Sequence, residues 1–137
     1  MPANKPFNRT FITNVGKEVT RQTIKRLDLT ALAIHTGLVQ STPVDIGQAR
    51  AGWNFGLNHM IQSVPGEVSR PSGSSGALIP PPPTPSLGAN TIGDRYHISN
   101  FVAHIVFLNE GSSSQKKEPK WVERVIRKAV KAAERVT

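Results

Sequence analysis

The sequence predicts an α+β chain: a long N-terminal helix, a small antiparallel β-sheet carrying a long Pro/Gly/Ser-rich loop insertion, and a basic C-terminal helix. Three observations predict it. Apolar residues recur at threes and fours over residues 10–40 and again over 119–135, which is the helical period. Residues 53–60, 95–100 and 103–109 alternate, or run β-branched and aromatic, as strands do. Residues 62–94 are more than half Pro, Gly or Ser. The 137 residues suit a single domain with a modest core.

Each element has its own signal. In the first helix Phe11, Val15 and Val19 fall four apart, and Ile24, Leu27, Ala31, Ile34 and Leu38 continue at threes and fours. Lys17, Arg21, Lys25 and Arg26 lie largely off that stripe. His35 sits beside it and reads as a packed or surface histidine, because no second ligand stands three or four positions away. After Trp53 the period changes to two: Trp53, Phe55 and Leu57 alternate with Asn54, Gly56 and Asn58. "DRYHISN" puts Tyr96 and Ile98 on one strand face, and "VAHIVFLNEG" reads as a third strand ending at Gly111.

The insertion, 62–94, holds the run Pro80 to Pro83, which favours extended polyproline II. So long a loop is functional or disordered more often than not. It is expected to be mobile in the free chain and held by a partner. A proline-rich ligand for an aromatic groove is the weaker reading, since no basic residue closely flanks the run. In the last helix Trp121, Val122, Val125, Ile126, Ala129, Val130 and Ala133 make the apolar stripe, with Pro119 suited to the first turn. Lys120, Arg124, Arg127, Lys128 and Lys131 cover the other face. Such a helix can lie on a membrane. Here the alanines in its stripe would gain little from insertion, so no membrane partner is expected.

Composition narrows function further. The chain has no cysteine, which excludes disulfides and thiolate metal sites. No apolar run approaches the ~20 residues of a membrane span. "MPANKPFNRT" lacks the apolar core of a secretion signal. The net charge of +8 is concentrated at the ends: six Lys/Arg against two acids in 1–28, and eight against three in 112–137. That field suits nucleic acid, an anionic surface or an acidic protein. A solvated helix face is the plainer reading.

The stretch "STPVDIGQARAGW", residues 41–53, decides most about function. Thr42-Pro43 forces an extended approach. Asp45 followed by Gly47-Gln48 reads as a helix start, with the carboxylate capping and Gln48 reaching back, a cap worth about 1 kcal/mol. Gly47 can take angles other residues resist. A single turn at 47–51 then delivers Trp53 to the first strand, with Arg50 pointing outward. Pro43, Asp45, Gly47, Arg50 and Trp53 therefore read as a rigid structural corner. A catalytic Asp45 would need a second group at a fixed distance, and none is nearby in sequence.

This stretch, the later "YHISNFVAHIVFLNEGSS" and the closing basic helix, in that order, resemble the tail-completion (head–tail joining, or neck) proteins of tailed bacteriophages. The family's first motif runs T-P-V-D-T-G-x-L-R-x-S-W. Thr42, Pro43, Val44, Asp45, Gly47, Arg50 and Trp53 match it, while Ile46, Ala49 and Gly52 depart. In the second motif Ser99, Asn100, Val102, Ile105, Leu108, Glu110, Gly111, Ser112 and Ser113 match, and His104 stands where a tyrosine is common. Of the family's following K-Q-A-P only Gln115 and Pro119 are approximately kept, with a basic insertion. The resemblance spans residues 20 to 130.

It implies a structural virion protein of the neck, with no catalytic residue, cofactor or metal. The implied subunit forms a homo-oligomeric ring, hexamer or dodecamer, assembled in the host cytoplasm. It joins the head connector to the tail and leaves a channel through which DNA passes without sequence recognition. Arg124, Arg127, Lys128 and Lys131 are then expected as subunit or ring contacts. Two other classes stand beside this one. A small basic DNA-binding protein would account for the charge, but aromatic-basic interleaving and recognition-helix signatures are missing. An enzyme would use Asp45, Glu110 or one of the four histidines, with His97 and His104 seven apart, and metal ligation would still want a third ligand.

Overall fold

A computed structural model describes residues 9–111 and 118–136. The elements are α1 (Arg9–Ser41), α2 (Gln48–Ala51), β1 (Trp53–Leu57), β2 (Tyr96–Asn100), α3 (Ile105–Asn109) and α4 (Trp121–Val136). The architecture is α+β: a long N-terminal helix, a two-stranded antiparallel sheet and a C-terminal helix.

The core sits where the second half of α1 meets the sheet and α4. Ala31, His35 and Leu38, spaced four and three apart, give α1 one buried face. Leu38, Trp53 and Trp121 form the central cluster, with Ile34, Ile98, Ile105, Leu108, Val125 and Ile126 packed around it. Each large side chain buried in this way contributes roughly 1.5–3 kcal/mol. α4 runs back along α1, so that Gly37 meets Val125.

In the sheet Trp53 pairs with Asn100, Phe55 with Ile98 and Leu57 with Tyr96. That face looks onto α1: His35 meets the Phe55 ring edge-on at 5.5 Å, and the Tyr96 hydroxyl donates to Asp28 at 2.6 Å. The other face carries Asn54, Gly56, His97 and Ser99. It is covered by the start of the insertion, where Ser99 Oγ donates to the Ile61 carbonyl and Asn54 to that of Ser63 (both 2.9 Å). A side chain at Gly56 would overlap the His59 carbonyl.

Two expected strands change. β1 ends at Leu57 rather than at residue 60, because Asn58 turns to φ 61°. Its side chain there bonds Asp94 and the Arg95 amide. The expected strand at 103–109 is the helix α3. Asn100 Oδ1 accepts from the Val102 amide at 3.0 Å and turns the chain out of β2. Ile105 and Leu108, three apart, then reach the core while Val106 and Phe107 face solvent. That is a helical spacing, so the β-branched composition lost to amphipathicity.

The insertion is laid on the body rather than free of it. Leu78 and Ile79 amides both donate to the Ile46 carbonyl, at 2.8 and 2.7 Å. Gln48 donates to the Pro65 carbonyl. At the far end the Tyr96 hydroxyl accepts from Gly88 and Ala89 amides, both at 3.0 Å. Asp94 accepts from Asn90 and Thr91 amides and from Asn58, which holds its carboxyl well below the usual range. The loop's backbone groups thus find partners on the fold itself, as a surface-lying segment must.

Candidate functional site

The corner is a corner, but its bonds differ from those expected. Gly47, at φ 98°, takes the N-cap position of α2, and no side chain caps there. A Cβ at Gly47 would overlap the Ile79 carbonyl, so the insertion passes too close for any other residue. The Asp45 carboxylate does not cap. It pairs with Arg70 at 3.0 Å, a full charge outcompeting backbone amides. Arg70 also donates to the Asp45 carbonyl (2.7 Å) and the Gly76 carbonyl (2.8 Å), closing the insertion onto the corner. Arg50 does not simply point outward either: it is half-buried, and its Nε is enclosed without a hydrogen-bond acceptor.

Below the corner lies a buried relay. Thr42 Oγ1 donates to the Leu38 carbonyl at 2.6 Å and accepts from Trp53 Nε1 at 2.7 Å. It ties the end of α1 to the first residue of β1. His35 is 3% exposed, and its Nε2 lies 3.4 Å from the Trp53 carbonyl. Burial pushes its pKa down, against the smaller opposing effect of that hydrogen bond.

The structure brings the two sequence motifs together. Asn100 Nδ2 donates to the Ala49 carbonyl at 2.8 Å, and Gly52 lies against Asn100 and Val102. Ser99 holds the insertion, as above, and Gly111 turns at φ 83° against Pro119. Glu110 is exposed at the end of α3, with Pro43 half-buried in the corner. Ser112, Ser113 and Gln115 lie outside the described residues. Pro119 precedes α4 instead of entering it, and the cap comes from α3: Asn109 Oδ1 accepts from the Val122 amide at 3.0 Å and Nδ2 donates to Glu123. This cap and Arg70 were not found from the sequence, since both join segments far apart in the chain.

Two exposed helix faces stand out among the described residues. On α4, Arg124, Arg127, Lys128 and Lys131 are exposed as expected, and Arg135 extends the row. Together they line one shallow depression of roughly 540 Å³. On α1, residues 9–19 are exposed throughout, with Ile12, Val15 and Val19 at 60, 47 and 57%. Beside them Arg21 holds the Glu18 carboxyl down to about 2.

Among the described residues no three His, Asp or Glu are grouped to hold a metal, and no helix is long and apolar enough to cross a membrane. His97 lies in β2 and His104 just before α3. No family model, curated protein or solved structure matches this chain.

Proposed function

We propose that this chain is a structural, non-enzymatic subunit of the neck of a tailed bacteriophage. It assembles with copies of itself into a ring that joins the head connector to the tail and leaves a channel for DNA. The observation that carries this reading is the junction of the two motifs. The residues that resemble the family, Thr42 to Trp53 and Ser99 to Gly111, fold against each other through Asn100–Ala49 and Gly52–Val102. In that unit three polar residues hold the scaffold together: Asn100 and Ser99 bind carbonyls, and Thr42 joins a carbonyl to an indole.

The first half of α1 supports an assembling role. An isolated helix of this length is marginal in water and depends on packing of its apolar side chains. Ile12, Val15 and Val19 form such a row beyond the body of the subunit, which suits a contact with the next copy. Light scattering of the purified chain, with and without duplex DNA and with the head connector added, tests the proposal. A ring-sized or connector-dependent oligomer is expected. A monomer that binds duplex tightly would establish the DNA-binding alternative instead.

A further inference from the structure

The cation row of α4 does not stand alone. It borders an apolar groove of roughly 570 Å³ between α1 and α4, lined by Leu29, Leu32, Ala33, Val125, Ala129 and Val136 among others. Lys128 and Ala132 belong to both surfaces. We propose that groove and row together are the receptor for one amphipathic helix of a different protein. Its apolar side chains enter the groove, and a row of carboxylates meets Arg124, Arg127, Lys128, Lys131 and Arg135.

Charge and spacing select this occupant. The five cations stand at i, i+3, i+4, i+7 and i+11, about one or two per 5.4 Å turn. A facing helix with Glu or Asp at the same spacing matches them turn by turn, with Arg forks suited to carboxylates. A second copy of this chain matches the row poorly. Its nine acids are dispersed, no two of them three, four or seven positions apart, and on α4 only Glu123 and Glu134 share a spacing of the row, eleven. Several are already engaged: Glu18 with Arg21, Asp45 with Arg70, Asp28 with Tyr96 and Glu118 with Arg124. The Glu118–Arg124 pair, at 3.2 Å with both side chains exposed, is weak enough for an incoming carboxylate to displace. Nucleic acid fits less well. Phosphates could meet the row, but a duplex has nothing to place in the apolar groove beside it. The docking mode is helix-in-groove, with charge setting orientation and on-rate. The inference rests on this surface alone and holds whether or not the subunit forms a ring.

The test uses the full chain and three fluorescent probes. One is a synthetic helix of about four turns with leucines on one face and a flanking row of glutamates. The second carries lysines in place of the glutamates, and the third is a short DNA duplex. Anisotropy at low and physiological salt should show binding of the acidic helix and none of the basic one. Arg127→Glu with Lys128→Glu should weaken the acidic helix by roughly tenfold or more. Ala132→Arg separates the readings, because it adds a cation while filling the groove, at an exposed position that folding tolerates. It should weaken the acidic helix and leave the duplex bound no more weakly. If Ala132→Arg strengthens or does not change binding of the acidic helix, the groove has no part. If the acidic helix fails to bind at low salt, or the duplex binds more tightly than it does, the proposal is overturned.

Discussion

Thr42 ties the end of α1 to the start of β1 through one hydroxyl. Its hydroxyl is the link between the Leu38 carbonyl and the Trp53 indole, and Thr42 itself is 4% exposed. Thr42→Val keeps the shape and strands a buried indole N–H, so the fold should lose about 1–3 kcal/mol. Urea unfolding followed by Trp fluorescence reads this directly, and an unchanged midpoint would mean the relay carries no stability. Asp45 is the opposite case. Without a capping role, Asp45→Ala removes only an exposed ion pair, worth no more than about 1 kcal/mol. Arg70→Ala removes bonds to two backbone carbonyls as well and should release the insertion. Limited proteolysis within residues 62–94 should therefore be much faster in the Arg70 variant than in the Asp45 variant. Equal rates would show that the carbonyl bonds do not hold it.

Elements meet through His35, which lies between α1 and β1. Its pKa is lowered in the folded chain, so the unfolded chain binds the proton more tightly. Stability from this group is present above the unfolded value of about 6.5 and is lost as pH falls towards the lowered folded value. Denaturant midpoints should therefore drop on acidification below that point, and the drop should be smaller in His35→Gln. Parallel pH profiles for the two proteins would remove His35 as the cause. The first half of α1 is the other place where an element depends on something outside itself. Val15→Asp with Val19→Asp touches no buried residue, so at a dilution where the parent is also monomeric the subunit should unfold at an unchanged temperature. The same variant should fail to self-associate in sedimentation velocity. Normal assembly of that variant would leave the apolar row without a role in subunit contact.

At the scale of the molecule, the exposed helix and the compact remainder make assembly and stability separate properties. If copies join through α1, the melting temperature should rise with protein concentration, because association stabilises by mass action. A melting temperature independent of concentration, from dilute to crowded solution, would argue for a monomer. The charge distribution acts at this scale as well. Among the described residues most of the basic charge lies on α1 and α4, with the acids spread singly along the chain. Long-range attraction to an acidic partner therefore weakens with salt over a Debye length of about 8–10 Å.

Periodicity by itself determined the two long helices, the first two strands and the outward cation row. A repeat of 3.6 or 2 sustained over many residues is a local property that tertiary packing only confirms. Residue type marked 41–53 as a corner, since Pro43 restricts the backbone wherever it stands and Gly47 admits angles other residues resist. Periodicity could not assign 103–109, where a short apolar run fits either period and the Asn100–Val102 turn decided for a helix. Nor could it find the partner of Asp45, because Arg70 lies 25 residues on and beats the local amides only once the insertion folds back. The junction of Asn100 with Ala49, the capping of α4 by Asn109 and the groove beside the cation row belong to the tertiary structure alone. Each is a contact between segments whose separation in sequence carries no record of their separation in space.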